Sequence, residues 1–373
     1  MTNNLRLIYR NKLTGKTSPQ IYNVTGSTLT LNRTHIKPQY FPDKHDTMFN
    51  EVEVVPYNEA IPKNIFEASQ TPRTVRRSEA EFFRDLKQSI KDYIYKRWNP
   101  DKHHVIQHSS GWDSRIMSII IKQLHQEHGD IWLGDVTFVC WGYENKYVPK
   151  ILSLEGWKSP HYVALDKDDF YFQTGLDHNY ACKGLNGASA YPINNPEWAL
   201  QALKHLKVIP FNDKKIQIYA ASWFNEAIRA LQQSKGNDFN KRFLKRYYYC
   251  HNAQFGASFI TQFIQPIYNT ETIRLFAESI VDLKGNDTAV RGRLVSSMNP
   301  LLANVVRYDH NKPIMPQKYA YRVKTDYLNS WYHKQTKKAI KPTIEIKYDP
   351  WWLEWSKAAF IDALIERGVD IRI

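Results

Sequence analysis

The sequence lacks the features that mark secreted, disulfide-bonded and membrane proteins. Its 373 residues include only three cysteines, Cys140, Cys182 and Cys250, which are far apart and odd in number. This pattern argues against a disulfide framework and against a zinc knuckle. Because no run of about eighteen apolar residues occurs, we expect no membrane-spanning helix and no membrane partner. The first residues, MTNNLRLIYRNK, lack the apolar stretch of a signal peptide, so we expect a reducing, cytoplasmic setting.

Acidic residues are also in short supply relative to basic ones. Lysine and arginine together number 51 against 37 for aspartate and glutamate, which gives a net charge of +14 and an isoelectric point near 9.4. This balance favours polyanionic partners such as nucleotides or nucleic acid. Two basic clusters, TPRTVRR (71–77) and KRFLKRYYY (241–249), fit a nucleic-acid partner, the second because aromatic rings stack on bases. An excess of charge spread over a solvated surface has the same composition, so both interpretations stay open.

The pattern of apolar residues divides the chain into three regions. Short β-branched and aromatic runs near the N-terminus, such as LRLIYR and TLTLN, predict strands. Ser78 and Glu81 have the spacing of a capping box and precede apolar residues at helical spacing. The expected regions are a small β-rich N-terminal region at 1–75, a nucleotide-binding α/β domain at 76–210 and a mainly helical part at 211–373.

The second region alternates between strand and helix patterns. HVIQ (104–107), DVTFVCW (135–141) and HYVAL (161–165) have the composition of buried strands, and helical patterns separate them. Strands at this spacing imply a parallel sheet joined by right-handed crossovers. Beyond about residue 195 the periodicity is mostly helical. The candidate helices there are NPEWALQALKHL, ASWFNEAIRALQQ, TETIRLFAESI, AVRGRLVSSM and DPWWLEWSKAAFIDALIERG. The predicted fold class is therefore α/β, with a parallel-sheet layer followed by a helical half.

The hexapeptide SSGWDS (109–114) lies between the first of these strands and the helix that follows it. Backbone N–H groups and the positive end of the helix dipole favour a phosphate at such a junction. Gly111 lets the backbone approach an anion closely, and serine hydroxyls donate hydrogen bonds to phosphate oxygens. Asp113 suits a Mg²⁺ ion that the pyrophosphate also binds. The alternative for this aspartate is an ordinary acid in the first turn of a helix.

SSGWDS resembles the Ser-Gly-Gly-x-Asp-Ser pyrophosphate loop of the PP-loop ATP pyrophosphatases, also called adenine nucleotide α-hydrolases. Ser109, Gly111, Asp113 and Ser114 match that loop, and Ser110 stands in place of its first glycine. The order of later segments is similar to the synthase domain of asparagine synthetase. The segments that carry this similarity are WGYENKYVPKILSLEGWKSPHYVAL, QFIQPIYNTETIRLFAESI and AVRGRLVSSMNPLLANVVR. The resemblance implies a HUP-type parallel sheet that uses ATP and Mg²⁺.

The resemblance also implies a reaction and a set of site residues. A substrate carboxylate, or an amide or ring oxygen, would attack the α-phosphorus of ATP and become adenylated. Pyrophosphate would stay in the loop, and ammonia or an amine would then displace AMP. The implied cofactor-binding residues are Ser109, Ser110, Gly111, Asp113, Ser114, Trp141 and Gly142, the implied metal ligands are Asp113 and Glu226, and the implied catalytic residues are Lys284 and Glu226.

Three departures from the family pattern leave the second half of this reaction open. The family's glutamine-hydrolysing domain begins with a catalytic cysteine, whereas this sequence begins with Met-Thr, so we expect no glutaminase domain and another nitrogen source. Asn225 stands where the second acidic motif has its aspartate, and only Glu226 keeps its acid. The position of the catalytic lysine holds Asp287, with Lys284 one helical turn away.

The sequence therefore predicts an ATP-dependent, AMP-forming ligase similar to asparagine synthetase, with an unidentified acceptor. A PP-loop enzyme that modifies a base of tRNA or DNA is an alternative that the basic charge permits. A degenerate, inactive nucleotide-binding module is another, because a Cβ at Ser110 crowds the loop. His104 and His108 lie on one face of the first strand, where ordinary packing and a metal site are both open.

Overall fold

Five parallel strands form the main sheet of the chain in its computed structural model. The structure describes residues 8–18, 23–30, 47, 49–141, 144–165, 203, 206–210, 212–219, 224–248, 263–264, 266–304 and 368–372. The strands in these ranges are β1 (Tyr9–Asn11), β2 (Thr17–Ser18), β3 (Thr28–Thr30), β4 (Val52–Val54), β5 (Val75–Arg76), β6 (His103–Gln107), β7 (Val136–Trp141), β8 (Tyr162–Leu165), β9 (Ile216–Tyr219), β10 (Phe263–Ile264), β11 (Ser279–Ile280) and β12 (Asp370–Arg372). The α-helices are α1 (Tyr57–Ala60), α2 (Lys63–Ser69), α3 (Glu79–Arg97), α4 (Trp112–Leu133), α5 (Val148–Leu154), α6 (Phe224–Gln233), α7 (Thr270–Glu278) and α8 (Asp287–Met298). A π-helical segment at Asn240–Lys245 and a 3₁₀ turn at Pro300–Asn304 complete the elements used below.

The main sheet has the strand order β10-β9-β6-β7-β8, and every neighbouring pair is parallel. The first of these strands in the chain, β6, is central, with the next two on one side and the last two on the other. The chain therefore reverses its direction of travel across the sheet between β6 and β9. In open parallel sheets, ligands bind at the carboxyl ends of the two strands that flank such a reversal. The prediction of a parallel α/β layer is confirmed.

The strands β9 and β10 depart from the expectation that the chain beyond residue 195 is mostly helical. The strand β9 has only four residues, IQIY, and all of them are buried, including the polar Gln217, so its pattern is too short to identify a strand. A short apolar run of this kind cannot be assigned by periodicity alone, and β10 has only two residues. The parallel sheet thus includes strands from beyond residue 210, and the predicted domain boundaries stay predictions.

The long helix α3 forms where the capping box predicted it. Ser78 accepts a hydrogen bond from the backbone N–H of Glu81, whose carboxylate accepts one from the backbone N–H of Ser78. The helix ends at Trp98, before Asn99-Pro100. Burial of each large apolar side chain contributes about 1.5–3 kcal/mol to stability. The buried residues are Phe82, Phe83, Leu86, Ile90, Tyr93 and Ile94, the six apolar residues of its helical spacing.

The helix α4 begins one residue after Gly111, packs against α3 and α8, and buries its apolar face. Ile116, Ile120 and Leu124 on this face are almost fully buried. The helix ends at Leu133, and its C-cap residue, Gly134, has a φ of 63°. A Cβ at this position would lie 2.5 Å from the carbonyl oxygen of Pro100, so only glycine fits the close approach of the two segments.

The later helices begin near the predicted positions. Asn269 and Asn286 each cap a helix, α7 and α8, by accepting a hydrogen bond from a backbone N–H three residues later. The last two residues of TETIRLFAESI form strand β11 instead of helix, and β11 pairs with β5. The helix α8 packs against both α4 and α6, which brings it to the carboxyl side of β6 and β9. The predicted helices at 195–206 and 349–368 lie almost wholly outside the described residues.

The N-terminal strands form small sheets beside this core. The order β2-β1-β4 is antiparallel, and β3 pairs in parallel with β12 near the end of the chain. The hydroxyl of Tyr248 accepts a hydrogen bond from the backbone N–H of Ile8 and donates one to the carbonyl oxygen of Val55. Side chains of β1, β3 and β4 belong to the same apolar cluster as the core helices. None of the helices in the described part of the chain has the length and apolar character needed to cross a membrane.

Candidate functional site

The loop SSGWDS lies at the carboxyl end of β6, where the direction of the chain across the sheet reverses. Gly111 is the N-cap residue of α4, and Asp113 and Ser114 are in the first turn of that helix. The partial positive charge of a helix N-terminus is greatest in this turn. The predicted phosphate loop therefore has the position at which a parallel sheet of this topology binds anionic ligands.

Hydrogen bonds among its own serines give this loop a compact shape. The backbone N–H of Ser109 donates to Ser114 Oγ at 3.0 Å, and the two hydroxyl oxygens are 2.8 Å apart. The backbone N–H of Gly111 donates to Ser109 Oγ at 3.1 Å. A Cβ at Gly111 would lie 3.0 Å from that same oxygen. Glycine is thus favoured here by the close approach of Ser109 Oγ.

Ser110, which replaces a glycine of the family loop, is held by Glu144. Both the backbone N–H and the hydroxyl of Ser110 donate to Glu144 Oε1, each at 3.0 Å. Both residues are buried, and Glu144 follows β7, the strand next to β6. A carboxylate that accepts from a backbone N–H and a hydroxyl forms the type of contact that a phosphate oxygen forms. The hydroxyl group that serine adds at this position therefore has a specific hydrogen-bond partner, Glu144.

A fully buried arginine, Arg115, also holds the loop in position. Arg115 donates to the carbonyl oxygen of Ser110 at 2.9 Å and to that of Leu302 at 2.8 Å. Its guanidinium lies 4.6 Å from the ring centroid of Trp112. Buried charged groups persist only when hydrogen bonds replace their hydration, and here the carbonyl groups provide them. Arg115 thus joins the loop to the 3₁₀ turn after α8.

His104 of β6 and His108, which follows that strand, are part of the packing beneath the loop. Burial lowers the pKa of His104 to about 3, against a smaller opposing effect of its hydrogen bond with the carbonyl oxygen of Asn99. Its ring stacks on Trp98 at 3.7 Å between centroids. His108 Nε2 is 3.0 Å from Ser118 Oγ, and Glu155 accepts from Ser118 at 2.6 Å. The described residues contain no group of three or more His, Cys, Asp or Glu suited to a metal ion.

The carboxylate of Asp113 forms an ion pair with Arg291 of α8. Arg291 Nη1 donates to Asp113 Oδ1 at 2.8 Å, and Nη2 donates to Asp287 Oδ2 at 2.7 Å. Burial works to lower the pKa of Arg291, but the negative charges of Asp113 and Asp287 outweigh it and raise that pKa. Asp287, which stands at the family's lysine position, is therefore a structural partner of the arginine beside the loop.

The same network continues across the site to Glu226. Arg229 donates to Asp287 Oδ1 at 2.8 Å and to Glu226 Oε1 at 3.0 Å. Arg246, at the end of the π-helical segment, lies 3.4 Å from Glu226 Oε2. We call these six residues the acid–arginine chain. Its members, in order, are Asp113, Arg291, Asp287, Arg229, Glu226 and Arg246.

The remaining predicted site residues lie elsewhere or are not described. Lys284 is exposed in the segment before α8, and its carbonyl oxygen accepts from Arg293. Trp141 is the last residue of β7, and Gly142 lies outside the described residues. Sequence reasoning missed Glu144, Arg115 and the arginines of the acid–arginine chain. Two spacings in the sequence could have indicated the arginines, because Glu226 with Arg229 and Asp287 with Arg291 are spaced as ion pairs on a helix are.

The predicted Mg²⁺ ligands do not fit a magnesium ion well. Mg²⁺ requires near-octahedral oxygen coordination, usually from one or two carboxylates, several waters and substrate phosphates. Asp113 is bonded to one guanidinium, and Glu226 lies between two. A divalent cation on either carboxylate would be held within a few ångströms of an arginine and would be repelled by it. The charges of Asp113 and Glu226 are thus already balanced by arginine side chains of the protein.

Comparisons with known proteins find similarity among solved structures. The chain matches no known protein family and no curated protein. A solved structure to which it is similar is the U34-tRNA thiolase NcsA from Methanococcus maripaludis with its 4Fe-4S cluster. The identity is 10%, the TM-score is 0.33, and the similarity covers 77% of this chain and 80% of NcsA. A similarity at this level does not decide the activity, so the topology and side chains of the chain itself carry the case for a nucleotide site.

Proposed function

We propose that the chain binds ATP at the SSGWDS loop and transfers AMP to an acceptor with release of pyrophosphate. The observation that carries this proposal is the position of the loop. A glycine- and serine-rich loop joins a parallel strand to the N-terminus of a long helix at the reversal point of a five-stranded parallel sheet. Backbone N–H groups and a helix dipole bind phosphate at such a position in unrelated nucleotide-binding folds.

In this proposal each loop residue has a defined task. Ser109, Ser110, Gly111 and Ser114 hold the β- and γ-phosphates through hydroxyl and N–H groups, and the α4 dipole stabilises their charge. An acceptor oxygen attacks the α-phosphorus, the bond from that phosphorus to the bridging oxygen breaks, and pyrophosphate leaves with the electron pair. Donors that are already in place when charge develops on the leaving group lower the barrier. Trp141 and Gly142 remain predicted contacts of the adenine.

A nucleic-acid base is the acceptor that the surroundings of the loop favour. The net charge is +14, and two arginines of the acid–arginine chain, Arg229 and Arg246, have 47% and 59% of their side-chain surface exposed. Cations at such exposure attract a phosphodiester backbone. The amide-forming ligase that the asparagine synthetase resemblance implies has less support, because Lys284, its candidate catalytic lysine, lies exposed in the segment before α8.

Pyrophosphate release from ATP tests both the reaction and the acceptor class. We expect release with tRNA or DNA and none with free amino acids; release with amino acids alone would select the asparagine synthetase-like ligase instead. Gly111→Ala places a Cβ 3.0 Å from Ser109 Oγ and should weaken ATP binding about tenfold or more. The control is Gly26→Ala, where a Cβ meets only the carbonyl oxygen of Thr28 at 3.9 Å. If calorimetry shows no ATP binding with or without Mg²⁺, the proposal fails and the chain is an inactive module.

A further inference from the structure

We infer that Arg291 takes the place of a divalent cation at Asp113, so that the loop binds nucleotide phosphates without magnesium. This inference rests on the proposed nucleotide site, and it concerns which cation neutralises the acids there. The aspartate of the loop is the residue that the sequence assigns to Mg²⁺. In the structure its Oδ1 accepts from Arg291 at 2.8 Å, and the side chains of the pair are only 16% and 9% exposed. Such a charge-assisted pair is little screened by solvent or salt.

The guanidinium of Arg291 is fixed in this position by contacts on its other side. Its Nη2 donates to Asp287 Oδ2 at 2.7 Å, and its Nε donates to the carbonyl oxygen of Asp287 at 3.3 Å. Asp287 is held in turn by Arg229 at 2.8 Å. The backbone of α8 also lies close to α4, because a Cβ at Gly292 would be 3.6 Å from the ring of Trp112. Moving Arg291 away from Asp113 would therefore break several contacts at once.

The second predicted magnesium ligand is neutralised in the same way. Glu226 is 10% exposed and lies between Arg229, at 3.0 Å, and Arg246, at 3.4 Å. The acid–arginine chain thus contains three carboxylates and three guanidiniums, and each carboxylate contacts at least one guanidinium. A divalent cation entering it would find no carboxylate without a cationic partner within this chain.

A polyanion, unlike a divalent cation, would find exposed cationic groups along the acid–arginine chain. Arg229 and Arg246 expose about half of their side-chain surface, although Arg229 contacts both Asp287 and Glu226 and Arg246 contacts Glu226. Arginine has five N–H donors in a planar fork, so each can bind a phosphate oxygen with the groups that are not used. Phosphates in the loop would then be stabilised by the N-terminus of α4, beside which Arg291 balances the charge of Asp113. The geometry points to an anion site whose cations are part of the chain.

Calorimetric binding of inorganic pyrophosphate and of ATP, with excess EDTA and again with Mg²⁺, tests this inference on the full chain. We expect dissociation constants that agree within about threefold between the two conditions. Affinity that is about tenfold or more greater with Mg²⁺, and that loses this dependence in Asp113→Asn, would overturn the inference while leaving the proposed nucleotide site intact. No binding under either condition would instead remove the nucleotide site itself.

Substitution of the arginine gives a second, independent readout. In Arg291→Gln the carboxylate of Asp113 loses its cation, so we expect pyrophosphate affinity in EDTA to fall about tenfold and to be restored by Mg²⁺. Arg293→Gln is the matched control on the same helix, because Arg293 pairs with Glu79 outside the acid–arginine chain and should change neither value. Should Arg291→Gln fail to fold, Asp113→Asn in EDTA decides: retained affinity supports the inference, and lost affinity contradicts it.

Discussion

The carboxylate of Glu144 lies against Ser110 and accepts hydrogen bonds from both its backbone N–H and its hydroxyl, each at 3.0 Å. These are two of the donors that the proposed pyrophosphate site would use. The negative charge of Glu144 therefore lies where a phosphate oxygen would approach the loop. The contact also explains why serine is accommodated at a position where the related loop has glycine.

The Glu144–Ser110 contact predicts that Glu144→Gln binds pyrophosphate more tightly than the wild type. The glutamine oxygen can still accept from Ser110, but the charge that repels a phosphate is gone, so we expect a gain of about three- to tenfold in affinity. Titration calorimetry measures it. Glu127→Gln, a surface substitution with 47% side-chain exposure, is the control and should leave the affinity unchanged. Weaker binding in Glu144→Gln would show that the carboxylate supports the phosphate site instead of competing with it.

We expect a large loss of stability when Arg115 is replaced by an uncharged side chain. In Arg115→Met the carbonyl oxygens of Ser110 and Leu302 lose a buried, charged donor, which costs about 3 kcal/mol or more of unfolding free energy. Urea denaturation measures this change. Arg84→Met removes an arginine that is 68% exposed and should cost within about 0.5 kcal/mol. Equal stabilities of the two variants would contradict the assigned role of Arg115.

Substitution of Gly129, within α4, and of Gly134, just after it, by alanine distinguishes the cost of backbone strain from the cost of steric overlap. Gly129 and Gly134 both have positive φ, 80° and 63°, but a Cβ at Gly129 meets nothing within 4 Å, whereas one at Gly134 lies 2.5 Å from the carbonyl oxygen of Pro100. We expect Gly129→Ala to cost about 1–3 kcal/mol for the backbone alone, because its φ of 80° and ψ of −178° lie in a region that essentially only glycine adopts. Gly134→Ala should cost clearly more, as read from thermal or urea unfolding. A Gly134→Ala cost no greater than that of Gly129→Ala would mean that the loop containing Pro100, between α3 and β6, shifts easily away from Gly134.

Because the pKa of His104 is lowered, we expect the stability of the protein to fall as the pH becomes acidic. Burial lowers its pKa in the folded chain to about 3, whereas an unfolded histidine titrates near about 6.5. Between these values the unfolded state binds a proton that the folded state does not, so stability falls as the pH falls from 6.5 towards 3, with a slope of up to about 1.4 kcal/mol per pH unit. His104→Gln should flatten this slope in urea unfolding at pH 7, 6 and 5. An unchanged slope in that variant would show that other groups govern it.

Local sequence patterns predicted those elements that caps, turn residues and the spacing of apolar residues mark. The capping box of Ser78 and Glu81, the strands β6 to β8 and the loop 109–114 all form where the pattern placed them. The strands β9 and β10 were missed because runs of four and two residues are too short for a period to be detected. Their position decides the site, since without them there is no reversal of the sheet beside β6.

The amino-acid sequence alone determined that a phosphate-type loop follows a buried strand and starts a helix, because turn, cap and strand preferences depend on neighbouring residues. Only the tertiary structure decided the partners of that loop. Asp113 meets an arginine 178 positions away in the chain, and Ser110 meets a glutamate 34 positions away. No local preference encodes such contacts, because they follow from how α8 and the β7 end pack beside β6. The charge environment of the site was therefore fixed by folding, although its loop was already evident in the sequence.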